Sequence, residues 1–193
     1  MTQTALQAPG AGLPPAEAFI SRHVIFPAMN LALSDARARA LFLQEGAQIA
    51  RMAGRLDHVR LERRVLIPRI RGIEDSSRNW SVAMTIEHLL ITGPSMKELI
   101  LTLRRGQEFH VKVDTADVKP TGKGLENIVG RFEAFQEEFD RDIKIPFEKS
   151  ELIQRHVHPW FGPLNARQWN VLAALHTRIH RRQIEWIIAL IGK

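Results

Sequence analysis

The chain contains no cysteine and no tyrosine among its 193 residues. Without cysteine it can form no disulfide, and it supplies no thiolate as a metal ligand, a catalytic nucleophile or a redox switch. Any metal ion would therefore be held by histidine or carboxylate side chains. A thiol required for chemistry would have to come from a second substrate.

Long apolar runs are absent as well. The longest candidate, residues 187–191 with the sequence IIALI, is far shorter than the roughly 18–20 residues that a membrane-spanning helix needs. Residues 1–15 lack both the basic region and the continuous apolar region of a secretory signal. The sequence therefore predicts no membrane segment and a cytoplasmic location.

Charge of one sign is not strongly concentrated. The formal net charge is +6, and the high isoelectric point of 10.3 results partly from the missing tyrosine and cysteine. Small basic clusters occur at residues 60–64 and 178–182, with acidic residues interleaved along the chain. Such clusters are typical of solvated helix faces, with a binding surface for an anionic substrate or nucleic acid as the alternative. We expect no nucleic-acid partner.

The length suits one domain with a sizeable core. Residues 1–15 are rich in Ala, Pro, Gly and Gln without periodicity, which predicts a disordered tail before a single domain at 16–193. A connection of about twenty residues, 106–124, is predicted between the second and third helices. Within it, residues 109–113 alternate weakly, as an extended segment does.

Apolar periodicity predicts four principal helices. The predicted spans are about 34–66 with Ser34 as N-cap, 80–105, 125–142, and a last helix that Asn165 and Gln168 begin with a capping box. Gly93-Pro94 falls inside the second span and predicts a kink or two abutting helices. With no strong strand and no repeat, the pattern indicates an all-α four-helix bundle.

Two histidines, His176 and His180, lie four residues apart on the core-facing stripe of the last helix. The same stripe contains the following residues: Trp169, Leu172, Gln183, Ile187 and Leu190. With 8 histidines, roughly 0.3 such pairs are expected by chance, so the apolar setting rather than the spacing carries the argument. Imidazoles at i and i+4 can direct their Nε2 atoms to one ion.

A third ligand is needed from another helix, and His88 is the best candidate because it lies mid-helix among Ile86, Leu89 and Leu90. His23, His58 and His110 are interpreted as surface or locally hydrogen-bonded residues, and His156 and His158 as backbone-bonded or pocket-mouth residues. Gln183 could orient a bound water or a substrate carbonyl, or hydrogen-bond a neighbouring helix. Glu87 faces about 100° away from His88, which favours a surface or interhelix role over that of a general base.

These residues resemble the DinB-like (YfiT-like) superfamily of four-helix-bundle proteins taken to be metal-dependent enzymes. The resemblance covers about residues 35–190 and rests on Trp80 with residues 87–89 (EHL), on the spacing of His176 and His180, and on residues 158–164 (HPWFGPL) followed by Gln168-Trp169. Gly93-Pro94 and the long 106–124 connection depart from the family pattern.

The resemblance implies a divalent metal site of His88, His176 and His180, occupied by Zn²⁺, Ni²⁺ or Fe²⁺, with coordination positions open to water or substrate. Gln183, His158 and Trp160 would border that site. The implied activity is a hydrolase or a thiol-dependent transferase that acts on a small molecule through metal-bound water or a low-molecular-weight thiol.

Two other hypotheses stay open from the sequence. The chain could be a helical protein of the same fold that binds a metal or ligand without catalysis, or a helical interaction protein whose three histidines are hydrogen-bonded core groups. Homodimerisation through a helix face is a further prediction. The sequence contains no serine triad, paired-carboxylate pattern, phosphate-binding glycine loop or H-E-x-x-H motif. The histidine pattern of a metal site is therefore the feature of the sequence that indicates catalysis.

Overall fold

The computed structural model of the chain describes residues 5–111 and 114–192. Its α-helices are α1 (Pro15–Ile20), α2 (Phe26–Ala32), α3 (Asp35–Ala53), α4 (His58–Glu62), α5 (Val82–Arg104), α6 (Ile128–Ile143) and α7 (Ala166–Ile191). A π-helical turn, Ser21–Ile25, joins α1 to α2, and 3-10 turns cover Asp75–Ser77 and Lys149–Leu152. The strands β1 (Arg155–His158) and β2 (Gly162–Asn165) form an antiparallel hairpin. The predicted all-α class is confirmed by this mostly helical structure.

The core lies between the four longest helices. α3 and α5 each pack against both α6 and α7. The apolar periodicity of the predicted third helix places four residues on its inward face, and all of them are buried: Ile128, Phe132, Phe135 and Phe139. Phe42 of α3 stacks on Phe139 with ring centroids 4.0 Å apart. The 3.6-residue period therefore located the buried face of these helices correctly.

The first predicted helix is wrong at its carboxyl end. Ser34 caps α3 as predicted, accepting a hydrogen bond from the Arg37 amide, but the helix ends at Ala53 rather than near residue 66. Gly54 ends it, and Asp57 then caps the separate short helix α4. Beyond α4 the backbone is extended, and residues 65 and 67 donate hydrogen bonds to residues 80 and 78. The apolar pattern continued past the true end because these extended residues are also partly buried.

α5 runs without a break through Gly93 and Pro94, so the alternative of two abutting helices is wrong, while a kink stays a prediction. A Cβ atom added at Gly93 would lie 2.5 Å from the Phe135 ring. Glycine at this position therefore lets α5 approach α6 closely. The predicted connection to the next helix is present and extends to Asn127, which precedes the first residue of α6, Ile128.

The hairpin of β1 and β2 is a feature that the sequence analysis missed. His158 pairs with Gly162, and Gly162 has a positive φ of 75°, which glycine adopts without strain. The turn places Trp160 and Phe161 at the hairpin tip. Asn165 and Gln168 then form the predicted capping box that begins α7.

Part of the predicted disordered tail contacts the domain. Leu13 is buried, and the amides of Gly10 and Gly12 donate hydrogen bonds to Glu74. Residues 1–4 of that tail lie outside the described residues, as do residues 112 and 113 of the predicted extended segment, whose described neighbours 109–111 form no strand. The domain boundary at residue 15 stays a prediction.

Candidate metal centre

Three histidines from two helices meet in the interior. His88 lies on α5, and His176 and His180 lie one turn apart on α7, which packs against α5. The Nε2 atom of His176 is 3.1 Å from the Nε2 atoms of both His88 and His180. Of the described residues, these three form the group whose ligand atoms all lie within 4.8 Å of one another. The structure thus brings together the three residues that the sequence singled out.

The Nδ1 atoms of His88 and His180 are the outer nitrogens of the group, because the Nε2 atoms face His176. Each outer nitrogen is hydrogen-bonded to an oxygen atom. His88 Nδ1 lies 2.7 Å from the carbonyl oxygen of Val118, so this nitrogen carries the proton and donates. His180 Nδ1 lies 2.7 Å from Gln183 Oε1. The Gln183 amide nitrogen donates to the Ser77 carbonyl at 2.8 Å, which fixes the orientation of the amide and leaves Oε1 to accept from His180.

These hydrogen bonds determine what the inner nitrogens offer. A neutral imidazole that donates from Nδ1 presents a lone pair at Nε2, so His88 and His180 both direct lone pairs toward His176. His176 can donate a hydrogen to only one of them. Three ligands at about 2.0–2.1 Å from one ion would be roughly 2.9–3.4 Å apart for octahedral or tetrahedral angles, and the two 3.1 Å separations fall in that range. The donor set therefore fits a divalent transition-metal ion.

Burial keeps the three rings uncharged. It lowers the pKa of His88 from its ordinary value of 6.5 to about 4, against a smaller opposite effect of the Val118 hydrogen bond. Burial also lowers the pKa values of His176 and His180 well below 6.5, and the proximity of the other imidazoles lowers them further. Neutral imidazole is the form that binds metal, so no proton has to be displaced at neutral pH.

Trp80 supports the group from the side. Its ring centroid lies 5.2 Å from that of His88 and 6.2 Å from that of His180, nearly parallel to the latter. Trp80 is itself buried just before the Ser81 cap of α5. This tryptophan, quoted above for the family resemblance, therefore fixes the orientation of two of the three imidazoles.

A partly buried ion pair lies in the adjacent wall. Lys119 donates to Glu74 Oε2 at 2.5 Å and to the Ser77 hydroxyl at 2.9 Å. Burial acts to raise the pKa of Glu74, but the bonds from Lys119 and from the amides of Gly10 and Gly12 outweigh it and hold that pKa below its ordinary value. Glu74 is therefore ionised at neutral pH.

Lys119 thus connects the two segments that hold the outer nitrogens of the histidines. The carbonyl of its neighbour Val118 accepts a hydrogen bond from the His88 ring. The carbonyl of its partner Ser77 accepts a hydrogen bond from Gln183, and Gln183 in turn holds the His180 ring. Such outer contacts orient ligand rings and tune their affinity for metal. Glu87 adds a further tie, because its carboxylate accepts from the amides of Thr121 and Gly122 in the same connection. This contact joins Glu87 on α5 to the connection that follows that helix.

The three histidines border a cavity of about 650 Å³. Its walls come from the α1–α2 segment, residues 72–77, α5, the 109–119 connection, the hairpin and α7. His158 and Trp160 line it, as expected for residues that border the site. His158 Nδ1 accepts from the amides of Trp160 and Phe161, and burial lowers its pKa to about 4.

The remaining histidines do not join the group. His23, His58 and His110 are exposed, while His156 lines the cavity between Phe109 and Trp169. Sequence reasoning missed Val118, Ser77, Glu74 and Lys119. All four lie outside the long helices, where no periodicity marks an inward residue. For Val118 and Lys119, the length of the 106–124 connection was the available signal.

Among the described residues, no helix combines the length and the apolar character needed to cross a membrane. Comparison with known proteins finds no matching family model, no similar curated protein and no similar solved structure. The site must therefore be interpreted from its own geometry.

Proposed function

We propose that this chain is a metal-dependent enzyme with a DinB-like four-helix bundle, in which His88, His176 and His180 hold one divalent ion. The observation that supports the proposal is the position of the three imidazoles, which converge on one point at the wall of a cavity large enough for a small molecule. A metal held by three protein ligands keeps positions open for a reactant, which distinguishes catalytic from structural zinc sites.

The side chains and backbone of the chain position the ligand rings. Val118 and Gln183 hold two rings in one tautomer, and Trp80 packs against both. When bound, the ion would supply Lewis acidity, which lowers the pKa of a coordinated water or thiol. His158 lies in the cavity as a neutral ring whose Nδ1 already accepts two amide bonds, so its Nε2 hydrogen is available to donate to a substrate.

The direct test is activity of the refilled protein. We expect chelator-stripped, tag-free protein loaded with Zn²⁺, Ni²⁺ or Fe²⁺ to hydrolyse small esters or amides, or to transfer a low-molecular-weight thiol to an electrophile, and the His88→Ala variant to lose that activity. His58→Ala, an exposed histidine remote from the cavity, is the matched control. Cobalt-loaded protein reports the open position independently, because a coordinated thiolate changes its absorption spectrum. Full metal occupancy with no spectral response to any thiol and no turnover would indicate a non-catalytic metal-binding protein instead.

Lys119 provides a second test through its connections to both ligand-holding segments. We expect Lys119→Met to weaken zinc binding about 10–100-fold, because Val118 and Ser77 would no longer be held together. Competition with a chromophoric chelator measures the change.

Lys97→Met is the control for Lys119→Met. Lys97 is likewise a lysine paired with carboxylates, Glu138 and Asp142, but it lies on α5 and does not line the cavity. It should lose thermal stability without a change in zinc affinity. Equal zinc affinities in the two lysine variants would contradict the role given to Lys119.

A further inference from the structure

The cavity extends well beyond the three histidines. It follows α7 from Trp169 to Arg182 and α5 from His88 to Leu99, and the α1–α2 segment forms the opposite wall. Its volume of about 650 Å³ lies in the middle of the range of about 300–1,000 Å³ typical of small-molecule sites. A water molecule or a single thiol group would fill only a small part of it.

Aliphatic and aromatic side chains dominate the wall. The α1–α2 segment contributes Phe26 and Met29, the hairpin contributes Phe161, and α7 contributes Leu172 and Ile179. Phe26 and Phe161 stack with ring centroids 4.6 Å apart, which joins the α2 wall to the hairpin wall. A surface of this kind gains free energy by burying apolar groups, at roughly 25 cal/mol per Å² removed from water.

Among the described residues, the charged side chains that line the cavity offer no free partner near the histidines for a charged ligand. Glu74 and Lys119 neutralise each other, and Asp117, Arg178 and Arg182 are exposed to solvent. A phosphate or a polycarboxylate inside the cavity would lose its hydration without an ionic partner from the chain, which is costly.

Part of the solvent-exposed lining of the cavity is apolar as well. Ile25, Ile91, Val111 and Val157 all line the cavity, and their relative exposures are 49%, 37%, 54% and 65%. Exposed apolar residues grouped at one place mark binding grooves more often than scattered ones do. These four residues therefore extend the apolar lining of the cavity to solvent-exposed positions.

We propose that the ligand of this cavity is a mostly apolar small molecule, aliphatic or aromatic, that carries one polar group and directs it at the three histidines. The placement of the polar group rests on the proposed metal site, whereas the apolar character of the ligand rests on the cavity alone. Nucleotides and sugar phosphates are poor ligands of the metal-free cavity on this account, because the side chains of the chain offer their charge no free partner there.

The first experiment uses metal-free protein and the neutral dye Nile red. Ser95 lies two turns after His88 on α5 and lines the cavity, so Ser95→Phe fills the space and should weaken dye binding at least tenfold. Val157→Glu places a charge at the exposed rim and should weaken it several-fold without affecting folding. Leu31→Ser, which removes an 89% exposed apolar side chain elsewhere, is the control and should leave dye binding unchanged. Dye binding that is lost in the Leu31 variant but kept in the other two would overturn the proposal.

The second experiment uses zinc-loaded protein and the alkyl hydroxamic acids from butanoyl to decanoyl. Affinity should rise roughly fourfold for each added CH₂ group, as expected for burial of an apolar chain. Phenyl phosphate should bind more weakly than the hexanoyl compound. An affinity independent of chain length, or tighter binding of phenyl phosphate, would contradict an apolar ligand.

The two experiments separate this inference from the proposed function. If the protein binds no zinc but Nile red responds to the Ser95 and Val157 variants, the apolar cavity stands and the metal site fails. If zinc binds at one ion per chain while Nile red ignores both variants and the hydroxamates show no dependence on length, the metal site stands and the apolar ligand is wrong.

Discussion

Replacement of His176 by alanine is expected to reduce bound metal from near one ion per chain to near zero. His176 is the central member of the group, because its Nε2 atom is the one that lies 3.1 Å from both of the others. The variant leaves two imidazoles on different helices, and two protein ligands rarely retain a divalent ion against a chelator. Elemental analysis after washing with chelator and refilling with Zn²⁺ measures the loss.

The same substitution should remove the stabilisation that the metal provides. An ion that binds only the folded chain stabilises it by about 2.7 kcal/mol at a free concentration one hundred times its Kd. For a domain of this size each kcal/mol corresponds to roughly 2–4 °C in Tm, so zinc should raise the Tm of the unaltered chain by about 5–10 °C. His176→Ala should show almost no rise. Calorimetry with and without zinc gives both values.

His156→Ala is the matched control for this prediction. His156 lines the same cavity from β1, but its ring does not belong to the three-histidine group. It should keep full metal occupancy and the full zinc-dependent rise in Tm. If His176→Ala also keeps full occupancy, His176 is not a ligand and the assignment of the site is wrong.

Helical periodicity explains why the three histidines could be predicted from the sequence. His176 and His180 lie at i and i+4, so an assumed α-helix places them on one face, and the apolar neighbours of His88 indicated a buried position. The burial of the three histidines depends on the packing of α5 against α7. The sequence indicated that packing only through the apolar faces of the two helices.

The parts that could not be predicted share a physical cause. Ser77, Glu74, Val118 and Lys119 act through contacts between segments 30 to 106 residues apart, and loops carry no periodic signal for such contacts. The early end of α3 and the β1–β2 hairpin were missed for a related reason. In a short, partly buried extended segment the apolar pattern covers only a few residues. Over that length it cannot be distinguished from the pattern of one helical turn.

Metal-free protein is expected to lose stability steeply as the pH falls from about 6.5 to 4. In the unfolded chain a histidine takes up a proton near its ordinary pKa of 6.5, but His88 and His158 in the folded protein do so only near 4. Between these values the unfolded state binds more protons, so acid favours unfolding. The contribution of these two histidines to the free energy of unfolding is fully present above pH 6.5 and is lost as the pH approaches 4.

The size of the effect follows from the shift. For His88, a pKa lowered from 6.5 to about 4 corresponds to about 3 kcal/mol of unfolding free energy lost across this range. His176 and His180 add to the loss in the same direction, because their pKa values are also lowered by burial. The carboxylates with lowered pKa values, such as Glu74 and Asp142, act at lower pH, since their ordinary values are 4.5 and 3.8. The histidine contribution is therefore separable from theirs above pH 5.

Urea unfolding of metal-free protein at intervals between pH 7.5 and 5 tests this prediction. His88→Gln should show a flatter dependence of unfolding free energy on pH, because it removes one group that takes up a proton on unfolding, whereas the exposed His58→Gln should follow the unaltered chain. A profile that is level from pH 7.5 to 5 would contradict neutral, buried imidazoles at the site. In zinc-loaded protein, protons compete with the metal for the imidazole nitrogens, so the ion should be released within this pH range. The unfolding free energy should fall more steeply with pH where the release occurs.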